Sequence, residues 1–270
     1  RSEGERVSRR YTGGQVMKIP AGTEVYNADS LPVVARGIEF TQQELQSALK
    51  GHVGVIVHDE NPEARDMLVR CATTQFGIAR VSAILTPKTQ PEDWRIGEAL
   101  AEAYLTDHCA CSFPWPNGRD LKNSAASPAG TDLVGFQESG GSHRFAFGEV
   151  KTSSHADWPP SVVTGRHGLS KQIETLRDSE PTKDELVLYL SHRATRADWR
   201  PEFESSASRY ISDSTDVSLF GVLVRDVTPK DLDLRARARA LALGCPAKTS
   251  IELRAIYLPK GAIATLPQAV

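Results

Sequence analysis

The sequence predicts an α/β protein in which a central mixed β-sheet is flanked by helices. Short apolar runs of strand length alternate with segments of helical periodicity along the whole chain, which is typical of this class. The composition, 40% hydrophobic and 24% charged in 270 residues, is that of a globular protein with a sizeable core. Because the chain exceeds the usual ~100–200 residues of one domain, we expect a core with an extension at each end.

The first segment, residues 1–88, is predicted to be an α/β extension. Thr41 and Glu44 have the spacing of a capping box, which predicts a helix that begins there, and Gly51 is a natural stop for it. The other elements predicted for this segment are short strands at 16–19 and 24–26, a buried strand at 53–57, a helix at 62–70 and a strand or strand–turn at 77–85.

The core is predicted to span residues 89–195, and a β-α-β extension that packs on it spans 196–270. The patterns in the core predict a helix at 92–109, a loop at 112–130, two strands at 131–136 and 145–152 joined by a hairpin loop at 137–142, and helices at 168–178 and 182–193. Those in the extension predict a strand at 217–224, a helix from Thr228 and Pro229 to Leu243, and a strand at 249–258.

The predicted hairpin carries the residues with the clearest chemistry. Asp132 lies at the start of its first strand, and Glu149 and Lys151 lie on its second strand. Side chains of a strand alternate between the two faces, so Glu149 and Lys151 point the same way, and strand pairing brings Asp132 beside them. Two carboxylates and an ammonium group on one patch suit metal-assisted hydrolysis of a phosphodiester.

These residues resemble the motifs of the PD-(D/E)xK nuclease superfamily, whose fold is called restriction-endonuclease-like. Asp132 matches the second motif of that family, and Glu149-Val150-Lys151 matches the third. Glu98, on the preceding helix, best matches the acidic residue of the first motif. Glu102, one turn later on the same helix face, is the alternative.

The resemblance covers about residues 92–178, a third of the chain. Gln172 occupies the position of a glutamine that is common in the RecB-like branch, but Leu176 stands where that branch has a tyrosine. Among more specific groups, the chain is similar to antiphage-defence nucleases of the Hachiman type in its size and in its Asp and Glu-x-Lys motifs.

The resemblance implies a Mg²⁺-dependent or Mn²⁺-dependent endonuclease that acts on DNA. By the family's pattern, Asp132, Glu149 and Glu98 would bind the metal, Lys151 would activate or position the attacking water, and Gln172 would orient it. A helicase or ATPase is the expected protein partner, because the chain has no Walker A loop and no dinucleotide-binding glycine pattern. A homo-oligomer is compatible with the same interpretation.

Two other interpretations of this hairpin are open at the level of sequence. The chain could be a catalytically silent nuclease-like subunit that binds DNA or supports assembly. Alternatively, Glu149 and Lys151 could form a surface ion pair, which contributes little to stability.

Further polar residues allow functional interpretations that are weaker. Cys109 and Cys111, next to His108, could form half of a zinc site, although no second pair follows at the usual spacing. The cations and histidines that could contact phosphate groups or lie beside the site are His155, Arg166, His167, Lys171, Arg235 and Arg239.

Charge and hydropathy exclude some classes of protein. With 32 Lys and Arg against 34 Asp and Glu, the net charge is −2, which excludes histone-like neutralisation of nucleic acid but allows a local basic groove. No apolar run reaches the ~18–20 residues of a membrane span, so no membrane association is expected. The four scattered cysteines favour a reducing, cytoplasmic setting over a disulfide scaffold.

Overall fold

A seven-stranded mixed β-sheet forms the centre of the computed structural model, which describes residues 18–59, 62–86, 90–116 and 130–270. In chain order the strands are β1 (Thr23–Asn27), β2 (Val33–Glu39), β3 (Cys111–Ser112), β4 (Leu133–Ser139), β5 (Ser142–Ser153), β6 (Val217–Arg225) and β7 (Ser250–Tyr257). Across the sheet the order is β1-β2-β7-β6-β5-β4-β3. The four central strands pair in parallel and the outer pairs are antiparallel, so the sheet is mixed as predicted.

Helices cover both faces of this sheet. In chain order they are α1 (Gln42–Ala48), a π-helical turn (Leu49–Val53), α2 (Gly54–His58), α3 (Pro62–Arg70), α4 (Gln75–Leu85), α5 (Asp93–His108), α6 (Ser161–Thr164), α7 (Leu169–Asp178), α8 (Glu180–Ala194), α9 (Arg200–Ser212), α10 (Arg235–Ala242) and α11 (Leu266–Ala269). The predicted α/β class is therefore confirmed. No helix among the described residues is long and apolar enough to cross a membrane.

The sheet separates two hydrophobic layers, and β5 contributes to both. Val150 belongs to the layer that contains Leu100 of α5, whereas Phe147 belongs to the layer that contains Ile173 of α7. Because side chains alternate along a strand, Glu149 lies on the α7 face of the sheet, like Phe147.

The central strand β6 is buried on both faces of the sheet. All nine residues of β6 are buried, which is typical of a parallel strand covered by helices on both faces. The strands come from all three segments of the chain: β1 and β2 precede residue 88, β4 and β5 lie within the predicted core, and β6 and β7 follow it.

Two predicted strands are helices in the structure. Residues 53–57 end the π-helical turn and form α2, since the chain kinks at Gly51 (φ −99°, ψ −124°) and continues as a helix instead of stopping there. Residues 77–85 lie within α4, whose first turn is capped by the Thr74 hydroxyl, which accepts a hydrogen bond from Gly77 N–H at 3.1 Å. Short apolar runs fit a buried strand and a helix equally well, so periodicity could not separate them.

Other boundaries also differ from the prediction. The hairpin loop is only the Gly140–Gly141 turn, because β4 and β5 run on to Ser139 and from Ser142. The helix predicted from Thr228 begins instead with a 3₁₀ turn at Asp231–Asp233, and α10 follows it. Strand β2 and helix α9 were not predicted, and most of the predicted loop at 112–130 lies outside the described residues.

Several local predictions are confirmed. The Thr41 hydroxyl accepts a hydrogen bond from Glu44 N–H at 3.2 Å, and the Glu44 carboxylate accepts one from Thr41 N–H at 2.8 Å, which together make a capping box. The predicted elements that match observed ones within a few residues are β1, α3, α5, α7, α8, β6 and β7.

Candidate active site

The pairing of β4 with β5 brings two carboxyl groups together. Leu133 pairs with Gly148, so Asp132, one residue before β4, lies beside Glu149. The Asp132 Oδ2 atom accepts a hydrogen bond from Val150 N–H at 2.8 Å, and a second hydrogen bond joins the Asp132 and Glu149 side chains. Glu149 is only 3% exposed. Both carboxyl groups are therefore held in place by the strands themselves.

Lys151 lies beside this carboxyl pair on the same face of β5. Its Nζ atom is 3.4 Å from Glu149 Oε2 and 4.0 Å from Asp132 Oδ2. The lysine side chain is 24% exposed, against 4% for Glu149 and 15% for Asp132. The ammonium group is thus at the open side of the cluster, where a substrate can reach it.

Helix α5 supplies a third carboxyl group, that of Glu98. The preceding residue, Gly97, lies so close to β5 that a Cβ atom there would be 2.0 Å from Thr152 Oγ1. This close approach requires glycine and packs α5 against the end of β5. The charges of Asp132 and Lys151 both act on the carboxyl group of Glu98, the next residue. The hydroxyl of Thr152 is buried and has no hydrogen-bond partner among the described residues.

The electrostatics of the cluster reflect buried like charges. Burial, followed by the charge of Asp132, raises the pKa of Glu98 to about 8 and that of Glu149 to about 8. Burial also raises the pKa of Asp132, against the attraction of Lys151 and the hydrogen bond from Val150. The hydrogen bond between the two side chains also favours the protonated form of Glu149, with Asp132 as the acceptor. The cluster carries more carboxyl groups than the nearby cations can neutralise.

A bound cation would relieve this imbalance. Mg²⁺ keeps several of its water ligands and binds through one or two carboxylates, which is a donor set that Asp132 and Glu149 can provide. Among the described residues, no three His, Cys, Asp or Glu side chains are grouped closely enough to hold a metal ion by themselves. The donor chemistry therefore fits a cation whose remaining ligands are water and substrate oxygens.

Glu102, the alternative to Glu98, lies one turn further along α5. It is half-buried, and its charge raises the pKa of Glu98, so the two are neighbours. The charges that act on Glu98 include those of Asp132 and Lys151 of the hairpin, together with Arg95 and Glu102 of its own helix. The structure thus brings four predicted residues together: Glu98, Asp132, Glu149 and Lys151.

Gln172 lies on α7, the helix that covers the Glu149 face of the sheet. Gly221 of β6 pairs with Glu149, and a Cβ atom at Gly221 would lie 3.3 Å from Ile173 and 3.6 Å from Leu169, so α7 packs directly against this part of the sheet. The Gln172 Oε1 atom is buried and accepts no hydrogen bond from the described residues. Gln172 therefore lies on the helix that covers the Glu149 face of the sheet, and its buried oxygen is an acceptor that no described residue uses.

The residues of the predicted zinc half-site have other partners. The His108 Nε2 atom is 3.0 Å from the carbonyl oxygen of Ile19, and the Cys111 thiol donates to the carbonyl of Cys109 at 3.4 Å. Burial raises the pKa of both thiols, that of Cys109 to about 11. Among the residues that the structure describes, these side chains do not form a group that could hold a metal ion, which does not favour the zinc interpretation.

A buried ion pair near the site was missed by the sequence analysis. Arg225 and Asp233 are both fully buried, with Arg225 Nη1 2.9 Å from Asp233 Oδ1. The same guanidinium donates to the backbone carbonyls of His155 and Asp157, and so holds the loop that follows β5. The only signal in the sequence is an arginine that ends a continuous apolar run, and its acidic partner could not be identified from spacing.

Comparison with known proteins identifies no family for this chain. Neither the scan against protein-family models nor the search of curated proteins finds a match to the chain.

Proposed function

We propose that this protein is a metal-dependent nuclease that hydrolyses phosphodiester bonds of DNA, with a restriction-endonuclease-like core. The observation that carries the proposal is the buried carboxyl cluster of Asp132, Glu149 and Glu98 with Lys151 at its open side. Burying several like charges is costly unless a ligand compensates them. Structural ion pairs balance their charges, whereas this cluster has an excess of acid that a divalent cation would neutralise.

Asp132 and Glu149 are the residues that would hold Mg²⁺ or Mn²⁺, and Glu98 would assist through the water ligands of the ion. When bound, such an ion polarises the phosphoryl oxygens and lowers the pKa of a coordinated water. Asp132 is oriented for this role because one of its oxygens is fixed by the Val150 N–H group at 2.8 Å. Preorganised ligands of this kind lower the cost of assembling the site.

Lys151 and Gln172 would act on the water and on the phosphate. An ammonium group beside the carboxylates stabilises the negative charge that develops on the phosphoryl oxygens, and it holds the attacking water by hydrogen bonding. The unpartnered Gln172 Oε1 atom is an acceptor that can orient the same water through one of its hydrogens.

The surface next to the site supports nucleic acid as the substrate. The segment between β5 and α7 carries Arg166 and His167, both exposed, and Lys171 follows on the exposed side of α7. Cations of this kind position the phosphate backbone without reading its sequence. A helicase or ATPase that delivers DNA to the site completes the proposal, since the sequence contains no nucleotide-binding motif of its own.

Cleavage assays with defined substrates test the proposal. The purified chain is incubated with supercoiled circular DNA, linear DNA, single-stranded DNA and RNA, each with Mg²⁺, Mn²⁺ or EDTA. We expect nicked and linearised circles with either metal and intact circles in EDTA. Cleavage of RNA alone would contradict the choice of DNA, and cleavage of linear DNA alone would identify an exonuclease.

Variants assign the activity to this site. Glu149→Gln should lose cleavage, whereas Glu138→Gln, which changes an exposed glutamate on the neighbouring strand, should retain it. Activity of Glu149→Gln equal to that of the wild type would remove the site from the proposal. Tight DNA binding without cleavage under any of these conditions would identify a catalytically silent DNA-binding subunit instead.

A further inference from the structure

The hairpin formed by α3 and α4 exposes an unusual amount of apolar surface. Of the twelve large apolar side chains that are exposed among the described residues, six lie on these two short helices. They are Met67, Val69, Phe76, Ile78, Ile84 and Leu85. Phe76 is 84% exposed and Met67 56%. We call this surface the α3–α4 patch.

Helix α4 has no polar face that could explain its exposure to water. Apart from Gln75 at its start, its only polar side chains are Arg80 and Ser82, and Val81 is its only buried residue. A helix that is apolar on all sides is normally buried. Helices of this length are also marginal when isolated, because packing of an apolar face supplies most of their stability. The α3–α4 patch therefore requires a surface that covers it.

We propose that a second copy of this chain covers the α3–α4 patch, so that two hairpins pack about a twofold axis as a four-helix arrangement. A large apolar side chain presents on the order of 150–200 Å² when fully exposed, so the observed fractions leave roughly 600 Å² of apolar surface on each hairpin. Each partner in a standard protein–protein interface buries about 800 Å². The patch thus supplies most of what a stable dimer needs.

One pair of opposite charges on α3 is compatible with self-association. Asp66 and Arg70 are both exposed and lie one turn apart. When two copies of α3 pack antiparallel, Asp66 of one copy lies toward Arg70 of the other, and the twofold axis forms this pair twice.

The proposal is independent of the nuclease activity, and its test is the oligomeric state of the full chain. Sedimentation velocity over a range of protein concentrations should show a species with the mass of two chains. Phe76→Asp and Ile84→Asp should each raise the dissociation constant of the dimer by at least about a hundredfold, because a buried unpaired carboxylate opposes association. Both side chains are exposed in the single chain, so these variants should fold, and circular dichroism checks this.

Matched controls change apolar residues that are equally exposed elsewhere. Ile211 is 82% exposed and Leu188 is 57% exposed, and both lie outside the hairpin. Ile211→Asp and Leu188→Asp should leave the dimer intact. A wild-type chain that is monomeric at every concentration would overturn the proposal, as would a dimer that Phe76→Asp and Ile84→Asp do not weaken. A monomer that floats with vesicles of anionic phospholipid would identify a membrane surface as the occupant.

Discussion

Two groups of buried charge lie near the carboxyl ends of neighbouring parallel strands, and they are built in opposite ways. At the end of β6, Arg225 is matched by Asp233, and Asp233 also accepts a hydrogen bond from the Tyr257 hydroxyl at 2.7 Å. On β5, Glu149 lies beside Asp132 and a partly exposed lysine, and the charge of Asp132 also acts on Glu98 of α5. The first group balances its charges internally, and the second does not.

This difference separates a structural role from a functional one. Arg225 is matched in charge by Asp233 and donates to two backbone carbonyls, so this pair requires no charged ligand from outside, although Arg225 Nε has no hydrogen-bond partner among the described residues. A buried cluster with excess acid must bind either protons or a cation, and its burial accordingly raises the pKa values of Glu98 and Glu149. The following predictions test this contrast, from the largest expected effect to the smallest.

Removing a carboxyl group from the β5 cluster should abolish function but not folding. Asp132→Ala and Glu149→Ala should each lose DNA cleavage completely, because each removes a proposed metal ligand. Neither should lower thermal stability much, since the change also relieves repulsion between buried carboxyl groups. Single-turnover cleavage and thermal melting are the measurements. A variant that cuts at the wild-type rate would contradict the assignment.

Removing a charge from the Arg225–Asp233 pair should lower stability but leave cleavage intact. Asp233→Asn leaves the Arg225 guanidinium buried without a counter-charge, which costs about 3–5 kcal/mol of unfolding free energy. Urea denaturation measures this loss. The cleavage rate per folded molecule should equal that of the wild type. A cleavage rate that falls by more than the folded fraction does would show that the ion pair also shapes the site.

Lys151→Met should reduce the cleavage rate by about 10²–10³ without weakening DNA binding, because the ammonium group acts mainly on charge that develops in the transition state. Arginine should not restore the rate fully, since its planar guanidinium cannot occupy the place of a compact ammonium group. Binding is titrated in Ca²⁺, which accepts the same oxygen ligands at longer distances. Weak binding with normal cleavage at saturation would make Lys151 a phosphate contact only.

The two glutamates of α5 should differ. Glu98→Gln should reduce cleavage more than Glu102→Gln, because the charges of Asp132 and Lys151 both act on Glu98. Rates of the two variants, measured side by side at saturating metal, decide the assignment. The opposite order would move the first-motif acid by one helical turn.

The smallest effect concerns stability as a function of pH. Burial raises the pKa of Glu149 to about 8 in the folded chain, against about 4.3 in the unfolded chain. Below pH 4 the group is protonated in both states and costs no stability. As the pH rises from 4 to 8, only the unfolded chain releases the proton readily, so the folded state loses stability. In EDTA, Glu149→Gln should be more stable than the wild type at pH 8 by about 1–3 kcal/mol and equal to it at pH 4. Melting curves at both values measure this, and a constant difference would indicate that Glu149 is ionised throughout.

Local rules were enough to predict much of the fold and the hairpin part of the site. The capping box of Thr41 and Glu44 depends on three residues of spacing, and the shared patch of Asp132, Glu149 and Lys151 depends on the two-residue period of a strand. These features are contained in short stretches of chain. For that reason they could be predicted without knowing what packs against them.

Burial and close approach were decided only in the tertiary structure. Residues 53–57 and 77–85 are apolar runs whose conformation depends on their neighbours, and both became helix. Whether Glu98 reaches Asp132 depends on the contact of Gly97 with Thr152, which joins parts of the chain more than fifty residues apart. The sequence by itself determined which carboxyl groups lie on one face of the hairpin. These carboxyl groups outnumber the nearby cations. The excess requires a bound proton or cation only because helices cover the sheet and exclude water, since desolvation makes unbalanced charge costly.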